Sequence, residues 1–370
     1  MKTLNFFLCF SLTISSFCQV TDKPVSWYKC MKGTIGKYPI TMHLHKWKKN
    51  YAGYYYYDRS QQPIEISGND SANSKVGLSA YLPGPEGQNN LSETFIGKWD
   101  GNSLTGTWYA SGKSAPLRFS LAPSKDSTVP DFTFVYTEGS IKLRPKMNKS
   151  PEATFFASSI WPTNQIRSSD FIKKQLIDIS GGKSDVEIGK LLIDQKKIFF
   201  DEYKSDFKDA TDKEISEYGL SYNYELQSNV SVVFSSSKLI SFSSDGYTYT
   251  GGAHGNFGTT FLVLDLANKK KLALGDVLHL EDSVTLNIVL EDKLRKVYNL
   301  KSTDKLTEVL FDEKMSFNDN FFVTEKGIGF NYNPYEIAAY VYGEIRLFIP
   351  FSEIKSLLKQ EFLSLIEWTK

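Results

Sequence analysis

From Lys29 to Leu121, apolar and polar residues alternate in short runs broken by turn residues, the period-two signature of half-buried strands. Seven runs stand out: Ile40–His45, Tyr51–Tyr57, Ile64–Ser67, Val76–Tyr81, Ser92–Lys98, Ser103–Tyr109 and Leu117–Leu121. Between them, Gly68-Asn69-Asp70, Pro83-Gly84-Pro85, Asp100-Gly101-Asn102 and Ser111-Gly112-Lys113 carry turn chemistry. Short strands at this spacing, with no helical period, predict a β-rich antiparallel meander over residues 19–121 that closes into a barrel or packs as a sandwich.

The pattern then changes. Residues 122–130 are polar and aperiodic and are expected to link two domains. Strand-like runs at Asp131–Leu143 and Ala153–Trp161 precede two helices, one from Ser168 through Ile179, stopping at Gly181-Gly182, and one within Asp185–Phe207. Strands return at Leu220–Gln227, Val230–Phe234, Leu239–Phe242, Tyr247–Thr250 and Thr260–Leu266, with Asn268-Lys269-Lys270-Lys271 as a hairpin turn. A helix over Ser283–Tyr298 and strands at Phe321–Thr324, Ile328–Tyr332 and Glu344–Pro350 follow. The closing run Phe351–Trp368 places Ile354, Leu357, Leu358, Phe362, Leu365 and Ile366 on one helical face. Strands and helices in separate runs make residues 131–370 an α+β domain with an antiparallel sheet.

The N-terminus changes the picture of where the chain works. Lys2 precedes an apolar run from Phe6 to Phe17, with the small Ser16 and Cys18 before Gln19, as in a secretory signal peptide over residues 1–18. Processing at Cys18 with a lipid anchor is the rival, which bulky Phe17 fits poorly. The expected localisation is secreted or periplasmic, with a lipid at Cys18 as its anchored form. No later stretch approaches the ~18 apolar residues of a membrane-spanning helix. The mature chain balances 42 basic against 42 acidic residues, so no field steers it towards nucleic acid. Cys9 and Cys18 fall in the signal, leaving Cys30, too few for a disulfide framework or a thiolate metal site.

Histidines are scarce, four in all, and one lies in the densest glycine cluster of the chain, Gly251-Gly252-Ala253-His254-Gly255-Asn256. His254 has three readings there: an acid, base or ligand in a cleft, a lock on a sharp turn between strands, or a partner-contact loop. Glycines on both sides favour the lock, because close backbone approach is what they permit. A second block, Asn331-Tyr332-Asn333-Pro334-Tyr335-Glu336-Ile337, sets a turn, since proline keeps Asn333 out of the helical region. It is either a structural corner or a recognition loop offering an aromatic face and a carboxylate.

The stretch Tyr249–Asn256, then Leu264-Asp265-Leu266 and Leu272–Leu278, then Phe330–Ala338 and Ile349–Ile354, resembles the C-terminal domain of RsiV-like anti-sigma factors, found also in PdaC-type peptidoglycan deacetylases. The blocks keep the family order from about Asp131 onward. The resemblance implies an α+β fold and an extracytoplasmic binding role; its best-understood member binds lysozyme outside the membrane. The chain lacks that member's membrane span and sigma-binding segment, and it lacks a recognisable deacetylase domain, so only envelope binding or scaffolding carries over.

The remaining candidates are weaker. His43-Leu44-His45 has metal-ligand spacing on one strand face, but no third ligand lies near in sequence, so a polar exposed face is expected. Tyr54-Tyr55-Tyr56-Tyr57 places two tyrosines on each face, one pair for the interior and one as ordinary surface or a sugar platform. Trp99 and Trp108 sit on a glycine-containing hairpin that faintly resembles small-ligand barrels. No Gly-x-Ser-x-Gly, His-Glu-x-x-His or phosphate-binding loop is present. The expectation is a non-catalytic envelope protein without cofactor or metal, binding a protein or glycan through His254, Gly252, Gly255, Asn256, Asn331, Pro334, Tyr335 and Glu336. The alternatives are a glycan hydrolase using His254 and a small-ligand barrel.

Overall fold

The computed structural model describes residues 26–71, 75–82, 90–112, 115–183 and 186–368. The signal peptide expected at 1–18, Cys18 and the turn expected at Pro83-Gly84-Pro85 lie outside the described residues. No described helix is long and apolar enough to cross a membrane.

The first strands are β1 (Ser26–Ile35), β2 (Tyr38–Trp47), β3 (Asn50–Tyr57) and β4 (Ile64–Ser71). They continue as β5 (Lys75–Leu82), β6 (Asn90–Trp99), β7 (Leu104–Ala110) and β8 (Leu117–Pro123). Each pairs antiparallel with the next, and β8 pairs back onto β1 from Met31↔Pro123 to Ile35↔Phe119, closing an up-and-down barrel rather than a sandwich. β1 is the strand missing from the seven sequence-predicted runs, because its Lys29 and Lys32 interrupt the apolar alternation. Closure removes the free edges that an open eight-stranded meander would expose.

Alternation assigns each side chain a face. Met31, Met42, Leu44, Tyr55, Ile66, Leu78, Phe95 and Leu121 pack the barrel interior, so side chains rather than a ligand cavity fill it. Polar groups plug its ends. Lys46, Tyr51 and Asp70 bond one another, with 2.7 Å from the Lys46 ammonium to the Tyr51 hydroxyl. Glu93 accepts from Tyr55 and, at 2.7 Å, from the Trp108 indole.

A six-stranded sheet follows, in the order β14-β13-β12-β11-β10-β9. Its strands are β9 (Phe132–Lys142), β10 (Glu152–Pro162), β11 (Tyr224–Ser235), β12 (Leu239–Tyr249), β13 (Asn256–Asp265) and β14 (Lys270–Lys271). Of the run read as Leu220–Gln227, residues 224–227 join Val230–Phe234 in β11 while Gly219–Tyr222 form a 3₁₀ turn, and Leu239–Phe242 joins Tyr247–Thr250 in β12. Pairing is antiparallel except between β10 and β11, which run parallel. That pair needs a crossover, supplied by α1 (Ser169–Ile179), α2 (Ile188–Asp206) and α3 (Asp212–Glu217). The Glu187 carboxylate caps α2 and Thr211 with Glu214 forms a capping box on α3.

The third layer is a three-stranded antiparallel sheet of β15 (Phe321–Val323), β16 (Gly327–Tyr332) and β17 (Ile345–Pro350), covered by α5 (Ser283–Val297) after the short α4 (Leu274–Val277). The expected helix over Phe351–Trp368 does not form. Single 3₁₀ turns at Phe351–Glu353 and Lys355–Leu357 lead to a short α6 (Gln360–Leu365). The apolar residues still face the core, but the backbone there bonds elsewhere: His279 N donates to Leu357 O at 2.8 Å and Lys359 N to Val277 O at 3.0 Å. These long-range bonds take partners that a continuous helix would use internally.

The barrel is docked by its outer face. His43 and His45 are 1% and 3% exposed, not on a solvent face as expected. The Tyr28 hydroxyl and His43 Nδ1 are 2.7 Å apart, and His45 stacks on Phe134 at 4.6 Å. The outward tyrosines are buried too, correcting the surface-platform reading: Tyr56 packs on Phe234, and Tyr54 joins Val233, Phe261 and Phe322. Period-two reading fixed which residues share a face; it carried no information that this face would be covered.

Candidate functional site

The Asn331–Ile337 block folds into the turn the proline predicted. Glu336 N donates to Asn333 O at 3.0 Å, with Pro334 and Tyr335 between them. Tyr335 has φ +68, which at the third position of a turn with proline second is the type II geometry. That place favours glycine, and a tyrosine there is held at a cost of about 1–2 kcal/mol. The corner is locked by polar side chains. The Glu336 carboxylate accepts from Asn333 N at 2.9 Å and from the Asn318 amide at 2.7 Å.

Asparagines also tie this layer to the large sheet. On the edge of β13 away from β12, no strand among the described residues pairs with Thr259 and Phe261. Asn320 fills it, accepting from Phe261 N at 2.9 Å and donating to Thr259 O at 2.7 Å, as a peptide group of a neighbouring strand would. Asn333 accepts from Thr259 N at 2.8 Å. Asn331, fully buried, donates to Thr259 O at 3.3 Å and accepts from Arg346 Nε at 3.2 Å.

The glycine-histidine segment is the hairpin loop between β12 and β13. Gly251 and Gly252 hold φ of +88 and +99, which explains two of the glycines. Gly255 answers to space instead: a Cβ there would lie 2.5 Å from the Tyr247 ring. His254 Nδ1 meets Gly255 O at 2.8 Å, and its ring stacks on Tyr340 at 4.1 Å. The Tyr340 hydroxyl donates to the same Gly255 carbonyl at 2.8 Å, and Tyr340 also contacts Phe257 and Tyr335. Tyr340 therefore joins the two sequence-predicted blocks into one aromatic lip, on which Tyr335 is 55% exposed.

Beside the lip lies a cleft of about 830 Å³ between the outer wall of the barrel, strands β11 to β13 and the segment Tyr340–Arg346. Its aromatic walls are Tyr81, Tyr247, Phe257 and Tyr340, and its polar groups include Asn229, Asp245, Glu65, Glu344 and Arg346. Glu344 accepts from Arg346 at 3.0 Å and from the Thr259 hydroxyl at 2.7 Å. Glu65, 46% exposed to the cleft, stands 3.7 Å from the other Arg346 terminal nitrogen. Removal from bulk water raises the Asp245 carboxyl to about 7, and the charges of Glu65 and Glu344 push the same way. For Arg346, burial works against the charge, but Tyr54 and the carboxylates outweigh it and the guanidinium is held firmly protonated.

The structure thus brings His254, Gly255, Tyr335 and the lip together, and places Asn331, Pro334 and Glu336 as the scaffold under it. Gly252 lies in the hairpin loop, and Asn256 opens β13 opposite Thr248. Among the described residues His254 makes no carboxylate contact, which leaves the His254 hydrolase reading without its partner group. No grouping of three metal-ligating side chains occurs among the described residues. Sequence reasoning missed Tyr340, Asp245, Glu65, Glu344 and Arg346. The Tyr340-to-Arg346 stretch follows the Asn-Pro-Tyr-Glu block directly, the one local signal that pointed there; Glu65 and Asp245 come from strands remote in sequence.

Residues 169–257 match the family described as Deacetylase PdaC, and residues 278–352 match a protein family of unknown function, DUF3298. The first match ends just past the glycine-histidine loop, and the second contains the asparagine-proline corner. Among curated proteins no match is found. Among solved structures, a DUF3298-family protein from Bacteroides fragilis aligns over 64% of this chain and 97% of its own, at 21% identity and TM-score 0.58. A DUF3298-family protein from Pseudomonas aeruginosa aligns over 62% and 95%, at 15% identity and TM-score 0.42. The chain therefore carries adjoining segments similar to PdaC and to DUF3298, in a fold shared with the Bacteroides protein.

Proposed function

We propose that this chain is an exported, non-catalytic cell-envelope protein that binds a partner in the cleft beneath the His254–Tyr340 lip. The observation that carries the reading is the convergence of the two blocks through Tyr340 at the mouth of a cleft of about 830 Å³. A cavity of this size, with aromatic walls and a few converging polar groups, has the features of a ligand site. Export rests on the N-terminal pattern over residues 1–18, and the likeness to PdaC is compatible with work outside the cytoplasm. Capture from envelope extract by the full mature chain tests the reading. Tyr340→Ala and Tyr335→Ala lose the captured partner while the circular-dichroism spectrum stays native; retention by both variants refutes it.

A glycan hydrolase is the second reading, favoured by Asp245, whose carboxyl titrates near neutrality beside Glu65 and Glu344. Such pairing of a protonated and an ionised carboxyl is what glycoside hydrolysis uses. Release of reducing ends from envelope glycan, abolished by Asp245→Asn, supports hydrolysis over binding alone.

A further inference from the structure

Resting on that binding reading, we propose that the cleft takes an oligosaccharide bearing free amino groups, of the de-N-acetylated hexosamine class. Two independent features of the cleft select this chemistry. The first is its walls. Tyr247, Phe257 and Tyr340 all line it, an aromatic surface against which the apolar side of a pyranose packs while its hydroxyls reach polar groups. The Asn229 amide and the Glu344 carboxylate line the same space.

The second is charge. Arg346 is the guanidinium of the floor, and Glu65, Asp245 and Glu344 face it from β4, β12 and the residue just ahead of β17. Three carboxylates against one cation leave the floor negative when all are ionised. A neutral sugar leaves that imbalance in place; an ammonium group on the sugar ring offsets it. The imbalance is relieved by a proton on Asp245, whose carboxyl is raised by burial and by the facing charges of Glu65 and Glu344. An amine entering beside them displaces a proton, so binding weakens in acid. Tyr54, Ser243 and Arg346 are the other groups that face Asp245.

A basic peptide is the other cation that the charge admits. It would depend on the carboxylates and be nearly indifferent to Tyr340, because a lysine ammonium reaches the floor on a flexible stem without a flat ring to stack. The site requires both features at once, which a sugar ring with an amine supplies.

Titration calorimetry on the full mature chain decides the matter, with a glucosamine tetramer, an N-acetylglucosamine tetramer and tetralysine as probes. The glucosamine tetramer binds at least about tenfold tighter than its acetylated form, the ratio that one ion pair in a partly desolvated site supplies. Tyr340→Ala and the near-isosteric Asp245→Asn each weaken it about tenfold, and binding at about pH 5 is weaker than at about pH 7. Equal affinity for the acetylated tetramer overturns the proposal. So does tetralysine binding that survives Tyr340→Ala, or no binding of the glucosamine tetramer. If the envelope capture described above still depends on Tyr340 while the glucosamine tetramer fails to bind, the ligand class is wrong and the binding reading stands. Asp245→Asn keeps the test open should Tyr340→Ala disturb the loop.

Discussion

Tyr340 stacks on the imidazole of His254 and donates its hydroxyl to the Gly255 carbonyl, so one side chain holds both halves of the lip. Tyr340→Phe keeps the ring and removes one hydrogen bond, for an expected loss of about 1 kcal/mol in urea unfolding. Gly255 belongs to the same device. Gly255→Ala drives a methyl into the Tyr247 ring and is expected to cost about 1–3 kcal/mol, with Tyr247 displaced from the cleft wall. Loss of partner capture together with a lowered midpoint checks that expectation. Asp245 acts in the opposite sense on stability. Its carboxyl rises from an ordinary 3.8 to about 7 on folding, so the folded chain binds the extra proton. The stability this contributes is present below about pH 4 and lost as pH rises through about 7. Asp245→Asn should therefore raise the melting temperature more at pH 8 than at pH 5, read by thermal denaturation at both. His254 and the glycines were legible in the sequence as an unusual cluster. Asp245 was not, because an aspartate in a polar strand segment looks like any solvated charge until two other carboxylates are folded against it.

Strand and helix positions followed from periodicity wherever burial was one-sided. Turns formed where they were read at Asp100-Gly101-Asn102 and at the Pro334 corner, but Gly68-Asn69-Asp70 lies inside β4, paired on both sides, and the hairpin read at Asn268–Lys271 turns over residues 266–269, with Lys270 and Lys271 pairing as β14. Periodicity failed at Phe351–Trp368, where the apolar spacing is helical but Leu357 O and Lys359 N bond His279 and Val277, dividing the run into 3₁₀ turns and the short α6. A buried apolar stripe constrains which side chains point inward, not how the chain between them satisfies its amides. The edge of β13 makes the same point through side chains. Asn320 replaces a strand by bonding both Phe261 N and Thr259 O. Asn320→Ala leaves both groups without that partner and should cost about 2–3 kcal/mol, measured by chemical denaturation. Asn320→Asp should be nearly as costly, since a carboxylate cannot donate to Thr259 O.

The whole molecule is joined where the barrel's outer face meets the sheet, and histidines lie in that junction. Burial lowers both His43 and His45 from 6.5 to about 3, with Lys32 adding to the effect at His43. Tyr28 and Tyr56 face His43, while Trp47 and Phe134 face His45. A depressed folded pKa means that the unfolded chain takes up protons first. The stability from the neutral, packed rings is present above about pH 6.5 and is lost as pH falls towards about 3. The loss is on the order of a few kcal/mol, and His45→Phe should flatten it in acid unfolding followed by tryptophan fluorescence. By itself, the sequence determined the alternation that builds the barrel, the faces of its strands, the helices α1, α2 and α5, and the two loops that carry glycine and proline. These depend on residues a few positions apart, whose spacing fixes backbone geometry directly. Only the tertiary structure decided that His43, His45, Tyr54 and Tyr56 would be covered rather than exposed. It alone placed Glu65 of the barrel with Asp245 and Arg346 around one cleft. Those outcomes depend on which surfaces meet, and the contact between residues 65, 245 and 346 leaves no trace in local spacing.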